Sequence, residues 1–574
     1  MPASSTHIAP PDQPMSWRGW GDPRHIPDLT PRVVKALEAE IGTLAATTTP
    51  VTVDEVRLRP STVSSALQTD LERTVGAAHL TTDRLARIRR SGGKSYTDLW
   101  RRRDGDAEGA PDAVVFPADH DEVTQVLEVA TRHGAAIVPY GGGTSVVGGL
   151  EPCREDRQTL VSLDLSRMDR VVAVDETSRL ATFEPGVRGP AAEAELRRRG
   201  FTLGHFPQSY AYASIGGYVA TRSAGQASTG YGRVDQLVHQ VRLATPTGTV
   251  VAGGAPASAA GPDLRQLLIG SEGTLGVITQ ATLQIQPAPE EERYEARAVG
   301  SFHRGLEVLR HLQQEGMAPD VCRLSDPDET RLFAQQADGG AGRLFRGYLR
   351  TRGYGDGCLL LLGWSGLRRQ IALSRAAAAR VLSEHTTIRL GSRPGQSWAQ
   401  GRFDGPYLRD ALMDRGVMVE TLETATTYTN VERLYSAVRG AIRHAMADSG
   451  RPGVVLCHVS HLYDSGCSLY FTWLCRERAD DVLGQYRTIK EAASTAITRA
   501  GGTITHHHGV GTEHRAHLTA EIGERGAALL RAVKQELDPA GIMNPGKLIP
   551  LPGDHAQNGV DAGHGASTPG VEGP

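Results

Sequence analysis

Three histidines stand side by side at His506-His507-His508, and Gly509-Val510-Gly511 follows at once. Imidazole titrates nearer neutrality than any other side chain, so this run puts proton-transfer groups on one short stretch of chain. An extended segment alternates its side chains, so at most two of the three can face one site. Alternation selects His506 and His508, without excluding His507. The flanking glycines and a helix just upstream predict a buried elbow rather than a surface tract or a weak metal site.

Far upstream, Pro139-Tyr140-Gly141-Gly142-Gly143-Thr144-Ser145 offers the opposite chemistry. Consecutive glycines let backbone N–H groups converge on an anion such as a pyrophosphate, and the Thr144 and Ser145 hydroxyls add donors. No convincing helix opens on this loop, so it is not the Rossmann fingerprint. A glycine-rich turn between strands would look similar. Further segments favour a long bound ligand: Gln208-Ser209-Tyr210-Ala211-Tyr212-Ala213-Ser214, then Thr221-Arg222-Ser223-Ala224, then Glu272-Gly273-Thr274-Leu275-Gly276-Val277-Ile278. Each lies between apolar runs, where a ligand can thread past tight backbone.

The elements that must position these segments are legible. Residues 113–116 read as a short buried strand. A helix follows, with Asp119 or Asp121 as N-cap, Val123, Val126, Leu127 and Ala130 on one face, and Gly134 at its end. A strand at 136–138 runs into the glycines, more strands fall at 160–165, 171–174 and 180–184, and 190–199 is a helix. Residues 245–249 form a hairpin turn. Beyond a boundary at Pro287-Ala288-Pro289, strands and helices mix, with helices at 486–500 and 521–537 bracketing the histidines. The expected division is an unstructured tail at 1–15, a mostly helical region at 16–106, a cofactor domain at 107–287 and a second domain at 288–500. A segment at 501–551 closes the site, and a second unstructured tail occupies 552–574.

At 574 residues the chain exceeds one ordinary core. A net charge of −3 gives no electrostatic case for a nucleic-acid partner. The six cysteines form no Cys-x-x-Cys pair, so reduced thiols in a cytoplasmic protein are expected. No apolar run approaches the ~18 residues of a membrane span. Neither a secretory signal nor a peroxisomal address is read at the ends. The Arg-rich stretch Arg84 to Arg103, with Tyr96 and Trp100 inside it, reads as a solvated helix face or, more sharply, as contact with an anionic membrane.

Taken in order, the glycine- and hydroxyl-rich segments resemble the FAD domain of the vanillyl-alcohol-oxidase (PCMH-type) superfamily over roughly residues 107–287. The resemblance implies an α+β fold: a two-subdomain PCMH-type FAD-binding domain followed by an α+β substrate (cap) domain. It also implies that the residues named in those segments contact FAD. Thr144 and Ser145, rather than a histidine, follow the glycines, which implies non-covalent FAD. No metal is implied.

Most of the chain is similar to the alkyldihydroxyacetonephosphate synthase (alkylglycerone-phosphate synthase) family. The similarity runs through Trp17-Arg18-Gly19-Trp20-Gly21, Cys322-Arg323-Leu324, Tyr407-Leu408-Arg409-Asp410, Leu469-Tyr470-Phe471 and the histidine triplet. The family exchanges the acyl group of acyl dihydroxyacetone phosphate for a fatty alcohol, leaving an ether without net redox. That implies Tyr470 as acid/base, its phenol activated by cationic histidines and an arginine. It implies Arg409 as a clamp on the substrate phosphate or the leaving carboxylate, and Arg323 as a second functional arginine. The bland alternatives are surface ion pairs for the arginines and a core position for the tyrosine. His458 and His461 receive no role. The implied partners are lipid-like small molecules, with peripheral membrane contact and a homodimer left open. The stretch Asp538 to Lys547 is similar instead to FAD-linked D-2-hydroxyacid dehydrogenases. It keeps open an oxidoreductase for D-lactate or glycolate, with arginines on the carboxylate and a histidine as base.

Overall fold

The computed structural model describes residues 14–25, 29–336, 347–348, 350–355 and 357–552. The tails expected at 1–15 and 552–574 lie outside these residues, except for Pro14, Met15 and Pro552.

The glycine loop leaves a small, mostly parallel sheet. Strands β1 (Leu80–Thr81), β2 (Ala113–Val115), β3 (Ala136–Tyr140) and β4 (Leu160–Asp164) lie in the order β1-β2-β4-β3, with β2, β4 and β3 parallel. Val115, Ile137, Val161 and Leu163 are buried, as short unbroken apolar runs require when both faces of a sheet are covered. Helix His120–His133 joins β2 to β3. Its N-cap is Asp119, whose carboxylate accepts the N–H groups of Asp121 and Glu122, and Gly134 ends it in the left-handed region.

Strands β5 (Val171–Asp175), β6 (Leu180–Phe183), β7 (Phe201–Thr202), β8 (Val238–Thr245), β9 (Gly248–Gly253), β10 (Val277–Gln284) and β11 (Gln286–Pro287) follow. β7 pairs with β11, and the others form an antiparallel sheet in the order β5-β6-β10-β8-β9.

Strands β12 (Glu291–Val299), β13 (Val321–Ser325), β14 (Cys358–Gly366), β15 (Ile388–Gly391), β16 (Val417–Thr427), β17 (Val454–Tyr463) and β18 (Gly466–Arg476) form the largest sheet, in the order β15-β12-β14-β13-β17-β18-β16. One face is dry: Val455, Cys457, Phe471 and Trp473 are buried in a core shared with helices Val431–Asp448 and Val482–Arg499. The free cysteines Cys322, Cys358, Cys457, Cys467 and Cys475 belong to this core and act there as small apolar residues.

The other face looks into a cavity, and strand register decides what it presents. Ser325 pairs with His458, His458 with Tyr470, and Tyr470 with Glu423, so these residues form one transverse row. On one side of the row, strand alternation places Arg323 and Ser460. On the other it places Leu456, Thr472 and Thr421, then Leu474 and Val419. The row therefore has Arg323 and Ser460 on one side, and on the other Leu456 with two threonines, then Leu474 and Val419.

The chain then returns to the first sheet. Helix Arg515–Leu537 begins earlier than the expected 521 and is interrupted at Gly523. Met543 bridges to Ile137, and the Asn544 amide donates to the carbonyls of Gly149 (3.1 Å) and Glu272 (2.6 Å).

The Arg84–Arg103 stretch is neither a solvated face nor an exposed basic patch. Arg87 donates to the Pro111 carbonyl at 2.7 Å, Arg90 pairs with Asp164 at 2.6 Å, and Arg103 pairs with Asp414 at 2.7 Å. Arg102 is only 1% exposed. Sequence pattern does not separate solvated from internally paired guanidiniums when the partners lie far away in the chain. Among the described residues, no helix is long and apolar enough to cross a membrane.

Candidate functional site

The cavity measures about 1620 Å³ and extends from the glycine loop to the transverse row. A site for one small ligand is typically ~300–1,000 Å³, so there is space for a long cofactor and a second molecule. Its wall takes in Pro139 and 141–145, then Gln208, Ser209, Ala213 and Ser214, then Thr221, Ser223 and Ala224, then Glu272, Gly273 and 276–278. The glycines are dictated by close packing. A Cβ on Gly142 would meet the Tyr212 carbonyl oxygen at 2.2 Å, and one on Gly141 would meet Ser214 Oγ at 2.4 Å. The loop backbone is thus pressed against the Gln208–Ser214 segment.

Some residues expected on the cofactor turn elsewhere, because successive residues of a tight turn cannot all face one way. Tyr140 donates to the Arg89 carbonyl at 3.3 Å, Tyr210 stacks on Phe403, and Tyr212 meets Trp20 edge-on. Arg222 donates to the Ile269 carbonyl at 3.1 Å and pairs with Asp235 at 3.4 Å. Thr274 caps the Ser271 carbonyl at 2.7 Å, Leu275 is core, and Ala211 is not on the wall.

The triplet is organised by Glu423. Its carboxylate accepts the backbone N–H of His506, of His507 at 3.1 Å and of His508 at 2.7 Å, and the Thr505 hydroxyl at 2.8 Å. Burial opposes the charge, but His507, His508 and these donors overcome it and hold the carboxyl down at about 2. The segment bends around this anion rather than running as a strand, so strict alternation fails. His507 and His508 line the cavity. His506 turns away to the Tyr463 hydroxyl at 2.5 Å, contrary to the expected pairing of His506 with His508. Glu272 steadies the following turn: it accepts the N–H groups of Val510 (2.6 Å) and Gly511 (2.8 Å), and burial pushes its carboxyl up to about 7.

Burial also lowers the basicity of the histidines. His507 falls to about 3, with Glu423 opposing the shift, and His508 is lowered too. Both are neutral at physiological pH, so they do not supply the expected cationic activation of Tyr470. Burial pushes the Tyr470 phenol up to about 12, against a hydrogen bond from Thr421 and the charge of Arg323. The resting group is therefore a phenol, and the proton acceptors beside it are imidazoles.

Arg323 lines the cavity and pairs with Glu329 at 2.9 Å. Arg409 lies on helix Gly405–Met413 and donates through Nη1 to the Lys94 carbonyl at 2.8 Å. Arg409 lines the cavity; its Nε and Nη2 are buried with no hydrogen-bond partner among the described residues, and Nε lies 3.9 Å from the Asp410 carboxylate. The segment containing Trp20 straps this helix: the Lys94 ammonium holds the carbonyls of Ser16 (2.7 Å) and Gly19 (2.6 Å), and the Trp20 N–H donates to Asp410.

Sequence reasoning missed Glu423, Glu329, His458 and His461. The last three line the cavity, and Glu423 underlies its histidines. His461, His506 and His507 bring ring nitrogens within 4.8 Å of one another. Hydrogen bonds already join His506 to His507 (2.9 Å) and His461 to Ser228 (2.6 Å).

Residues 111–254 match the FAD binding domain family, and residues 288–548 match the C-terminal domain of FAD linked oxidases. The chain is 34% identical to "Alkyldihydroxyacetonephosphate synthase" of Trypanosoma brucei brucei, over 94% of this chain and 93% of that protein. It is 29% identical to "D-lactate dehydrogenase [cytochrome], mitochondrial" of Arabidopsis thaliana, over 77% of this chain and 74% of that one. A solved alkyldihydroxyacetonephosphate synthase structure superposes with a TM-score of 0.81 at 29% identity, covering 93% of this chain and 99% of that one. The close-packed glycine cradle and the length of the cavity suit FAD, the cofactor that these domain matches indicate. A FAD-binding α+β enzyme in two domains, the chain belongs to the alkyldihydroxyacetonephosphate synthase family.

Proposed function

We propose that this enzyme exchanges the acyl group of acyl dihydroxyacetone phosphate for a fatty alcohol, forming an ether-lipid precursor without net redox. One observation carries the reading: Tyr470, with His458 beside it, lies on the cavity wall between Arg323 on one side and Leu456, Leu474 and Val419 on the other. A guanidinium on one side and these apolar side chains on the other suit a substrate with an anionic head and a long alkyl chain.

Each wall residue then has a task. Arg409 brings a guanidinium charge to the wall for a phosphate or carboxylate. Leu456, Leu474 and Val419 receive the alkyl chain and exclude water from it. Tyr470, a phenol at rest, hands a proton to the ketone oxygen. His507 and His508, neutral and oriented by Glu423, accept the proton from the carbon beside the ketone. FAD, held non-covalently by the segments at 139–145, 208–214, 221–224 and 272–278, would supply an electrophilic ring system.

The test supplies purified yellow protein with acyl dihydroxyacetone phosphate and a long-chain alcohol, without oxygen. Ether formation supports the exchange. No ether, with flavin bleached by D-lactate or glycolate, supports a dehydrogenase instead.

A further inference from the structure

The exchange must also place the hydroxyl proton of the incoming alcohol. In the exchange, the alcohol O–H bond and the ester bond between the methylene carbon and oxygen break, and an ether C–O bond forms. The fatty acid leaves as a carboxylate with the electron pair of the broken C–O bond. The hydroxyl proton must therefore go to a base on the wall. The carbon-bound proton beside the ketone is a separate event.

The wall holds two imidazole–carboxylate assemblies, one on each side of Tyr470. The first is His507 and His508 on Glu423. The second is His458, whose Nδ1 lies 3.1 Å from Glu329 Oε1 and whose ring stacks on Tyr470 at 4.9 Å and 20°. Glu329 is held down at about 2: burial opposes its charge, but Arg323 and His458 overcome it. It is therefore a carboxylate, which fixes the imidazole proton on Nδ1 and leaves Nε2 as the acceptor. Burial and Arg323 lower His458 while Glu329 raises it, and the balance leaves it neutral. The next residue on the same face of β17 is Leu456, which lines the cavity. A fatty alcohol seated there brings its hydroxyl to the transverse row.

We infer that His458, oriented by Glu329, is the general base that takes the proton of the incoming alcohol. This inference rests on the ether-forming reading above. His458 is then a catalytic residue distinct from Tyr470, and Glu329 is its positioning residue.

The test uses FAD-loaded wild type, His458→Phe, His458→Gln and Tyr470→Phe. Glutamine keeps a hydrogen bond to Glu329 but cannot take the proton, so it serves if the phenylalanine variant fails to fold. Two rates are read: fatty-acid release from acyl dihydroxyacetone phosphate, and ether formation with hexadecanol or with its 2,2-difluoro analogue, whose hydroxyl is more acidic. A positioned general base contributes about 10²- to 10⁴-fold, so hexadecyl ether formation should fall by at least ~10²-fold in the His458 variants. Fatty-acid release should stay within a few-fold, and the deficit should shrink with the difluoro alcohol. Tyr470→Phe should lose both rates. Wild-type ether rates in His458→Gln, or equal loss of both rates with no gain from the difluoro alcohol, would overturn the assignment and leave His458 as packing for Tyr470. A wild-type enzyme that makes no ether would overturn the underlying reading instead.

Discussion

Replacing Glu423 by glutamine removes a charge and almost no volume, so it isolates what the carboxylate does for the histidine segment. Oε1 accepts Thr505 Oγ1 at 2.8 Å, His507 N at 3.1 Å and His508 N at 2.7 Å, while Oε2 accepts His506 N. The amide keeps one acceptor. If it serves the Oε1 donors, the His506 N–H faces an NH₂ group and loses its partner, which costs about 1–3 kcal/mol. The other bonds lose charge assistance at about 0.5–1 kcal/mol each, for a sum of about 3–5 kcal/mol. The folded carboxyl is held below its ordinary 4.5, at about 2, which has the same sign. Because the folded pKa is depressed, this stability is present above about 4.5 and is lost as pH falls toward about 2. The gap between wild type and variant should therefore narrow by about 1 kcal/mol between pH 7 and pH 4. Thermal unfolding of the FAD-loaded protein at both pH values measures it, and a drop of about 10 °C at pH 7 is expected if the sheet domain melts as a unit. Ether formation should fall by at least ~10²-fold while FAD stays bound, since displaced acid–base groups cost that much. Equal melting temperatures at pH 7 together with turnover within twofold of wild type would refute the claim that Glu423 organises the site.

Other substitutions probe separate parts of the wall. Tyr470→Phe should abolish turnover and leave the flavin spectrum unchanged; full activity would remove its acid/base role. Arg409→Met should raise KM for the phosphate-bearing substrate by at least ~10-fold, because the guanidinium charge disappears from the wall, with FAD affinity unchanged by titration. Parallel loss of substrate and FAD would mean that Arg409 is structural. Gly142→Ala places a methyl 2.2 Å from the Tyr212 carbonyl and 2.7 Å from Ala213 Cα, both backbone atoms that cannot swing aside. The protein should purify without yellow colour, and retained FAD would show that the loop can move.

Local signals made the first half of the chain readable. The apolar runs of β2, β3 and β4 and the Asp119 and Gly134 caps are written in neighbouring residues, and so is the glycine loop that β3 enters. Tyr470, Arg323 and Arg409 stood out by resemblance, and all three line the cavity. His458 and Glu423 did not stand out, because their positions beside Tyr470 follow from strand register, which joins segments with no sequence signal in common. Glu329 belongs to helix Pro327–Gln336 and reaches Arg323 and His458 only after the chain folds. Placing His506 on the cavity failed because alternation assumes a strand, and this segment instead wraps a buried anion. Expecting cationic histidines failed because burial outweighs the nearby carboxylate. The inward turn of Arg87 and Arg102 was hidden for a related reason: amphipathic patterning counts charges without knowing their partners.

The most direct measurement is an anaerobic product assay on the FAD-loaded enzyme with acyl dihydroxyacetone phosphate and hexadecanol. Alkali-stable ether lipid is quantified by mass spectrometry while the flavin absorbance is followed. One ether and one fatty acid are expected for each substrate consumed, with the flavin oxidised at the end. Absence of ether, together with stoichiometric flavin reduction by a D-2-hydroxy acid, would contradict the exchange.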